Sequence, residues 1–155
     1  FIDNEYYFKR GKLYGYDDDP ERFGFFSRAV VSLLPSLCFT PDIIHCNDWQ
    51  TALVPVFLHS LYNEYLGKAK TVFTIHNIEY QGKFNPYILG DVFGIHSKFR
   101  EVVEFDGCLN LMKGAIEMNI EVRLKEDDTD FINILSEMPG VNSAVIVSYN
   151  GDYMG

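Results

Sequence analysis

Two clusters of polar residues hold the chemistry this sequence can offer. His76 and Asn77 follow the β-branched run Thr71-Val72-Phe73-Thr74-Ile75, and His45, Asn47 and Asp48 follow Ile43-Ile44. Imidazole, carboxylate and amide groups supply hydrogen-bond donors and acceptors for a polar ligand. Each cluster falls where an apolar strand would end. Open α/β sheets bind ligands at the carboxyl ends of their parallel strands, so the two clusters predict one crevice. Each residue also has a structural use. His76 and Asn77 can cap a strand end, and Asp48 can cap the next helix. Trp49 is more often a core aromatic than a ligand platform. His45 reads as buried and hydrogen-bonded, and His59 and His96 have no visible partner.

The elements that would position these clusters are readable in order. Residues 1–16 are aromatic and mixed in charge, with a loose turn at Arg10-Gly11-Lys12 between short extended pieces. Asp19 is an N-cap candidate and Pro20 suits the first helical position. Phe23, Phe26, Val30, Leu33 and Leu34 follow near helical spacing, and Pro35 marks the stop. After Thr40-Pro41-Asp42 comes a short buried strand, Ile43 to Cys46. Asn47-Asp48 opens a helix with Leu53, Phe57, Leu61 and Tyr65 on one row and Val54, Leu58 and Tyr62 on the next. Gly67 is a natural C-terminal cap. The strand Thr71 to Ile75 completes a β-α-β unit. Gln81 to Phe99 reads as a loop with short helical turns. Glu101 to Ile116 reads as a loop entering a helix, with Leu109, Met112 and Ile116 on one face.

A second pattern begins near Glu117-Met118. Ile120, Val122 and Leu124 alternate with charged residues, as in a half-buried strand. Asp127 to Asp130 can cap a helix bearing Phe131, Ile132, Leu135 and Met138. Val141 to Tyr149 is a further strand, and Asn150-Gly151-Asp152 a turn. The expected fold class is α/β. Residues 1–117 hold a short parallel sheet with flanking helices, and residues 118–155 a small β-α-β module. That tail either extends the first sheet or makes its own. One helix on two strands is marginal alone, so the tail should pack on the first part or form a homo-oligomer with a second copy.

Composition excludes several classes. The 155 residues are 47% hydrophobic and 15% aromatic, enough for a packed core. A net charge of -9 argues against nucleic acid as a partner, because phosphate binding needs a basic face. No apolar run is long enough to span a membrane, and no signal peptide is visible. The cysteines Cys38, Cys46 and Cys108 are widely spaced and form no metal pattern, so reduced thiols in a cytoplasmic protein are expected. No metal and no cofactor is called for. A first residue of Phe1 is consistent with a piece of a longer chain.

The motifs together bring a resemblance. His45-Cys46-Asn47-Asp48-Trp49-Gln50-Thr51-Ala52-Leu53 and Thr74 to Gly82 closely resemble the N-terminal domain of bacterial glycogen synthases and plant starch synthases. Tyr14-Gly15-Tyr16, Glu21-Arg22-Phe23 and Asn110-Leu111-Met112-Lys113-Gly114-Ala115-Ile116 belong to the same pattern, in the family's order. The resemblance runs from Phe1 to about Ile116, and the family's next strand motif is absent after it. The tail is unrelated to this pattern and resembles, weakly, the soluble tail of a bacterial membrane-protein family of unknown function and, more loosely, ferredoxin-like regulatory modules. The resemblance implies a partial Rossmann-like domain whose ancestral reaction transfers glucose from ADP-glucose to the end of an α-1,4-glucan.

The resemblance also assigns roles. His76 lies near the transferred sugar and donates to it. Asp48 matches the family's acidic active-site position. Asn77, Tyr80 and Gln81 line the same crevice, and Trp49 is its orienting or packing aromatic. The family's Lys-x-Gly-Gly loop and the basic residues that neutralise the leaving diphosphate have no counterpart in the chain. Such neutralisation is usually the largest catalytic contribution, so the chain is expected to be inactive alone. The competing reading is a non-catalytic α/β binding or structural module, or a chimera, that self-associates through its tail.

Overall fold

The computed structural model describes residues 1–66 and 68–118, together with the backbone of Glu121–Leu124. The expected cap at Gly67, the tail helix from Asp127 to Met138, the strand Val141 to Tyr149 and the turn at Asn150 lie outside the described residues. So does self-association through that tail.

In chain order the elements are α1 (Glu5–Phe8), α2 (Asp19–Ser36), β1 (Ile43–Asn47), α3 (Leu53–Leu61), α4 (Asn63–Leu66), β2 (Lys70–Ile75), β3 (Lys83–Phe84), α5 (Ile88–Asp91), α6 (Arg100–Val103), β4 (Glu104–Phe105), β5 (Cys108–Asn110), α7 (Leu111–Glu117) and β6 (Glu121–Leu124). Single 3-10 turns occupy Trp49–Thr51 and Ser97–Phe99.

The organising layer is a parallel sheet in the order β1-β2-β6. Ile43 lies opposite Lys70 and Asn47 opposite Thr74, so the carboxyl ends of β1 and β2 finish side by side. On the other flank of β2, Val72 lies opposite Glu121 and Ile75 opposite Leu124. The strand read at the start of the tail therefore extends the first sheet. A small antiparallel sheet, β3-β5-β4, forms from segments read as loop. Its strands are too short to show alternation, and β3 pairs with β5 from a distant part of the sequence.

The core forms where α2, α3 and α7 meet the sheet. Phe57, Phe73, Val103, Leu109 and Ala115 are fully buried, and Cys46 and Ile75 nearly so. Every residue from Leu53 to Leu58 is buried, Pro55 included, because Pro55 sits in the first turn of α3, where its N–H would have no partner. The helix expected to run from Asn47 past Tyr65 is divided into a 3-10 turn, α3 and α4, and Tyr65 is exposed. Pro35 lies inside the last turn of α2, which ends at Ser36.

The face of α2 also differs from expectation. Leu33 is exposed, whereas Arg22, Gly24, Ser27 and Val31 are buried. Gly24 explains part of this: a Cβ there would come within 2.9 Å of the Phe93 ring. Phe93 packs on bare backbone instead. Asp19 is a helical residue rather than an N-cap, and its carboxylate accepts from the backbone of Gly15 and Tyr16. It also pairs with Arg22, which donates to the carbonyls of Tyr7 at 2.7 Å and Leu13 at 3.2 Å. One buried arginine thus ties the N-terminal segment to α2. Residues 5–8 form α1, capped by the Asn4 side chain, rather than an extended piece.

Candidate functional site at the parallel strand ends

The two strand ends are joined by side chains bonding to backbone. The N–H of Asp48 donates to the Thr74 carbonyl at 2.9 Å, continuing the ladder one residue past β1. Asp48 then turns sharply, with φ 55 and ψ 180, a region that non-glycine residues rarely occupy. The turn aims its carboxylate across the gap. Oδ1 accepts from the N–H of His76 at 2.7 Å and of Asn77 at 3.4 Å. Asp48 makes no side-chain bond to the helical turn that follows it. The expected cap of the following helix is therefore absent, and the carboxylate bonds the backbone just past β2 instead.

Asn47 completes the junction. Its backbone N–H donates to Thr51 Oγ1 at 2.6 Å, which fixes the turn locally. Its side-chain oxygen lies 3.1 Å from His76 Nε2. His45 Nε2 lies 2.7 Å from Thr74 Oγ1 beside the same strand ends. His45, Asn47, His76 and Asn77 are exposed, so the ring and amides face water while the backbone beneath them is fixed. Asn77 uses its side-chain oxygen to accept from Glu79 N–H at 2.9 Å, a local turn that sets the loop beyond.

The remaining expected site residues are placed differently. Tyr80 is 53% exposed at the loop surface, its ring 6.2 Å from that of Tyr14. Gln81 is engaged elsewhere: its side-chain oxygen accepts from the buried Asn110 at 2.7 Å, and its carbonyl accepts from Met112 N–H at 3.1 Å. Trp49 is only 6% exposed, packed edge-on against Phe23 and Phe84 at 5.0 and 5.6 Å. It sits under the crevice rather than on its surface. Gly82 crosses directly over it with φ 66, and a Cβ there would come within 2.9 Å of the indole. The sequence reading brought Asp48, His76 and Asn77 together correctly in space. It did not single out Asn47 as a partner of His76 or Asn110 as the anchor of Gln81. The one available signal was their type, since asparagine at the end of a strand or start of a helix usually bonds backbone or a neighbour.

Lys113 forms a second anchor below the loop. It is 1% exposed and donates to the carbonyls of Glu101 at 2.7 Å and Val102 at 3.1 Å. Its ammonium lies 2.6 Å from Glu117 Oε1, an ion pair without hydrogen-bond alignment. Asn110 caps the same helix by accepting from Lys113 N–H at 3.0 Å. Burial pushes the Cys46 thiol up to about 12, so this cysteine beside the site is a neutral core residue. Elsewhere, the hydrogen bond to Glu21 raises Tyr7 to about 12. That pair borders an open groove of about 600 Å³ along α2, which none of the strand-end residues lines. Among the described residues, no group of three or more His, Cys, Asp or Glu is placed to hold a metal ion.

A parallel sheet with a polar crevice at its strand ends is the arrangement at which α/β domains usually bind their ligands. The comparisons narrow the class. The starch synthase catalytic domain model matches residues 1–122. The glycogen synthase of Geobacillus thermodenitrificans is 50% identical over 120 residues, covering 75% of this chain and 25% of that protein. The glycogen synthase of Lactococcus lactis is 51% identical over 120 residues, with the same coverage. The catalytic domain of starch synthase IV from Arabidopsis thaliana, bound to ADP and acarbose, superposes with a TM-score of 0.64. It is 39% identical and covers 71% of this chain and 24% of that one. The chain belongs to the starch synthase catalytic domain family. It spans about 25% of the length of the glycogen synthases it matches. No helix among the described residues is long and apolar enough to cross a membrane.

Proposed function

We propose that the strand-end crevice is the sugar-facing half of a glucosyltransferase site, which acts in the whole protein on ADP-glucose and an α-1,4-glucan. The observation that supports this is the convergence of Asp48, His76 and Asn77 at one junction, with the backbone fixed and the ring exposed. In this reading His76 meets the transferred sugar. Asp48 acts chiefly by holding the His76 backbone. Asn77 and Tyr80 offer polar and aromatic surface to the sugar or the glucan, and Gln81 and Trp49 shape the floor. The family match with glycogen and starch synthases supports the substrate class. Free thiols at Cys38, Cys46 and Cys108 agree with a reducing cytoplasm.

Asn47, Asp48, His76 and Asn77 supply one carboxylate, one imidazole and two amides, with no ammonium or guanidinium among them. A departing diphosphate needs positive charge, so these residues alone should bind without turning substrate over. Titration calorimetry with ADP-glucose and then a maltooligosaccharide tests the reading. Saturable uptake lost in His76→Ala supports it. A cooperatively folded chain that takes up neither ligand overturns it.

A second reading is favoured by the commitment of Asp48, Gln81 and Trp49 to backbone and core. Here the chain is a non-catalytic α/β module with a weak sugar surface, and its tail mediates self-association. A monomeric mass at all concentrations overturns the self-association.

A further inference from the structure

We propose that Asn47 is a positioning residue for His76, fixing which ring nitrogen faces a ligand. The inference rests on the proposed sugar site and specifies how its histidine works. An amide oxygen can only accept, so Asn47 Oδ1 at 3.1 Å from Nε2 requires the ring to donate there. In the neutral ring the proton then resides on Nε2. The other nitrogen, Nδ1, makes no hydrogen bond within the described residues and presents a lone pair. Neutral His76 is therefore an acceptor for a sugar hydroxyl, not a donor to it.

Two further observations make Asn47 a fixed reference point. Its backbone is held at both ends of the residue: the N–H donates to Thr51 Oγ1 at 2.6 Å, and the carbonyl accepts from that hydroxyl at 2.8 Å. The His76 backbone is held separately by the Asp48 carboxylate at 2.7 Å. The ring and the amide thus meet from two anchored strand ends. Loss of the amide frees the ring without moving either backbone.

Nitrogen-15 spectroscopy of the imidazoles tests this in the whole chain, at a pH where the ring is neutral. His76 is assigned by its disappearance in His76→Gln. The expected result is two well-separated ring resonances, Nε2 in the protonated range and Nδ1 in the unprotonated range. Asn47→Leu, which keeps size and removes the acceptor, should draw the two resonances together as the second tautomer gains population. Asn47→Asp, which still accepts, should keep them apart. A proton on Nδ1 in the unaltered chain, or shifts indifferent to Asn47→Leu, overturns the proposal. Calorimetry with ADP-glucose is the companion arm. Asn47→Leu should weaken uptake about fivefold, the loss of one ordinary hydrogen bond, and Asn47→Asp should retain more of it. If the unaltered chain takes up no ADP-glucose, the sugar-site reading fails, while the ring spectra judge the positioning role independently.

Discussion

The start of α2 and the end of β1 use the same device to opposite effect. At each, one carboxylate collects two backbone N–H groups. Asp19 takes Gly15 and Tyr16; Asp48 takes His76 and Asn77. Around Asp19 the device is closed. Arg22 completes it, the two residues are 5% and 2% exposed, and the arginine's remaining donors meet carbonyls. Around Asp48 it is open. Among the described residues no cation pairs with it, and the exposed His76 ring bonds Asn47 through one nitrogen only. A closed arrangement of this kind serves folding, and an open one is available to a ligand.

The comparison can be broken most directly by stability measurements. Arg22→Leu leaves Asp19 buried without its cation, and urea denaturation should show a loss of about 3–5 kcal/mol. Asp48→Ala removes charged acceptance at an exposed junction and should lose only about 1–3 kcal/mol, with Asp48→Asn losing less. Equal losses in Arg22→Leu and Asp48→Ala would end the distinction.

Gly82 tests whether the floor under the open site is as tightly built as the closed knot. Gly82→Ala adds a Cβ against Trp49 at φ 66 and should cost about 2–4 kcal/mol. Gly107→Ala also has positive φ, at 73, but open space around it, so only the backbone cost of about 1–2 kcal/mol should appear in the thermal melt.

His76→Ala should change stability by no more than about 0.5 kcal/mol, because the exposed ring buries little, while abolishing ligand uptake in calorimetry. A large stability loss would place His76 with the structural residues.

A last effect concerns pH. Folding raises the Cys46 thiol from 9.0 to about 12. Between those values the unfolded chain loses a proton that the folded chain keeps. Stability from this group is therefore full below pH 9 and falls as pH rises toward 12. Urea midpoints measured from pH 8 to 10 should show a slope that Cys46→Ala reduces.

The sequence made the sheet readable because β1 and β2 are short apolar runs ending in abrupt polar clusters. The pairing of Asn47 with Thr74, which sets His76 beside Asp48, is visible only in the folded sheet. The buried arginine and lysine were not readable as anchors. Arg22 and Lys113 are residue types that normally face water, and a carboxylate one turn away together with carbonyls from other segments makes their burial tolerable. Trp49 and Gln81 were ambiguous for a related reason. A residue next to a crevice can face it or support it, and side-chain type does not distinguish the two. Asp48 was read as capping forward along the chain. Its unusual backbone turns it sideways onto the neighbouring strand, a choice set by the tertiary pairing with Thr74.

The reach of Asp48 across 28 residues of sequence to His76 has a consequence for how the site comes into being. The junction needs both strand ends at once. A one-residue slip of β2 along β1 would send alternate side chains to the wrong face and pull the His76 amide out of range of the carboxylate. The open site is therefore intact only when the two strands are paired in this register. Any ligand that engages it will selectively stabilise the correctly aligned sheet.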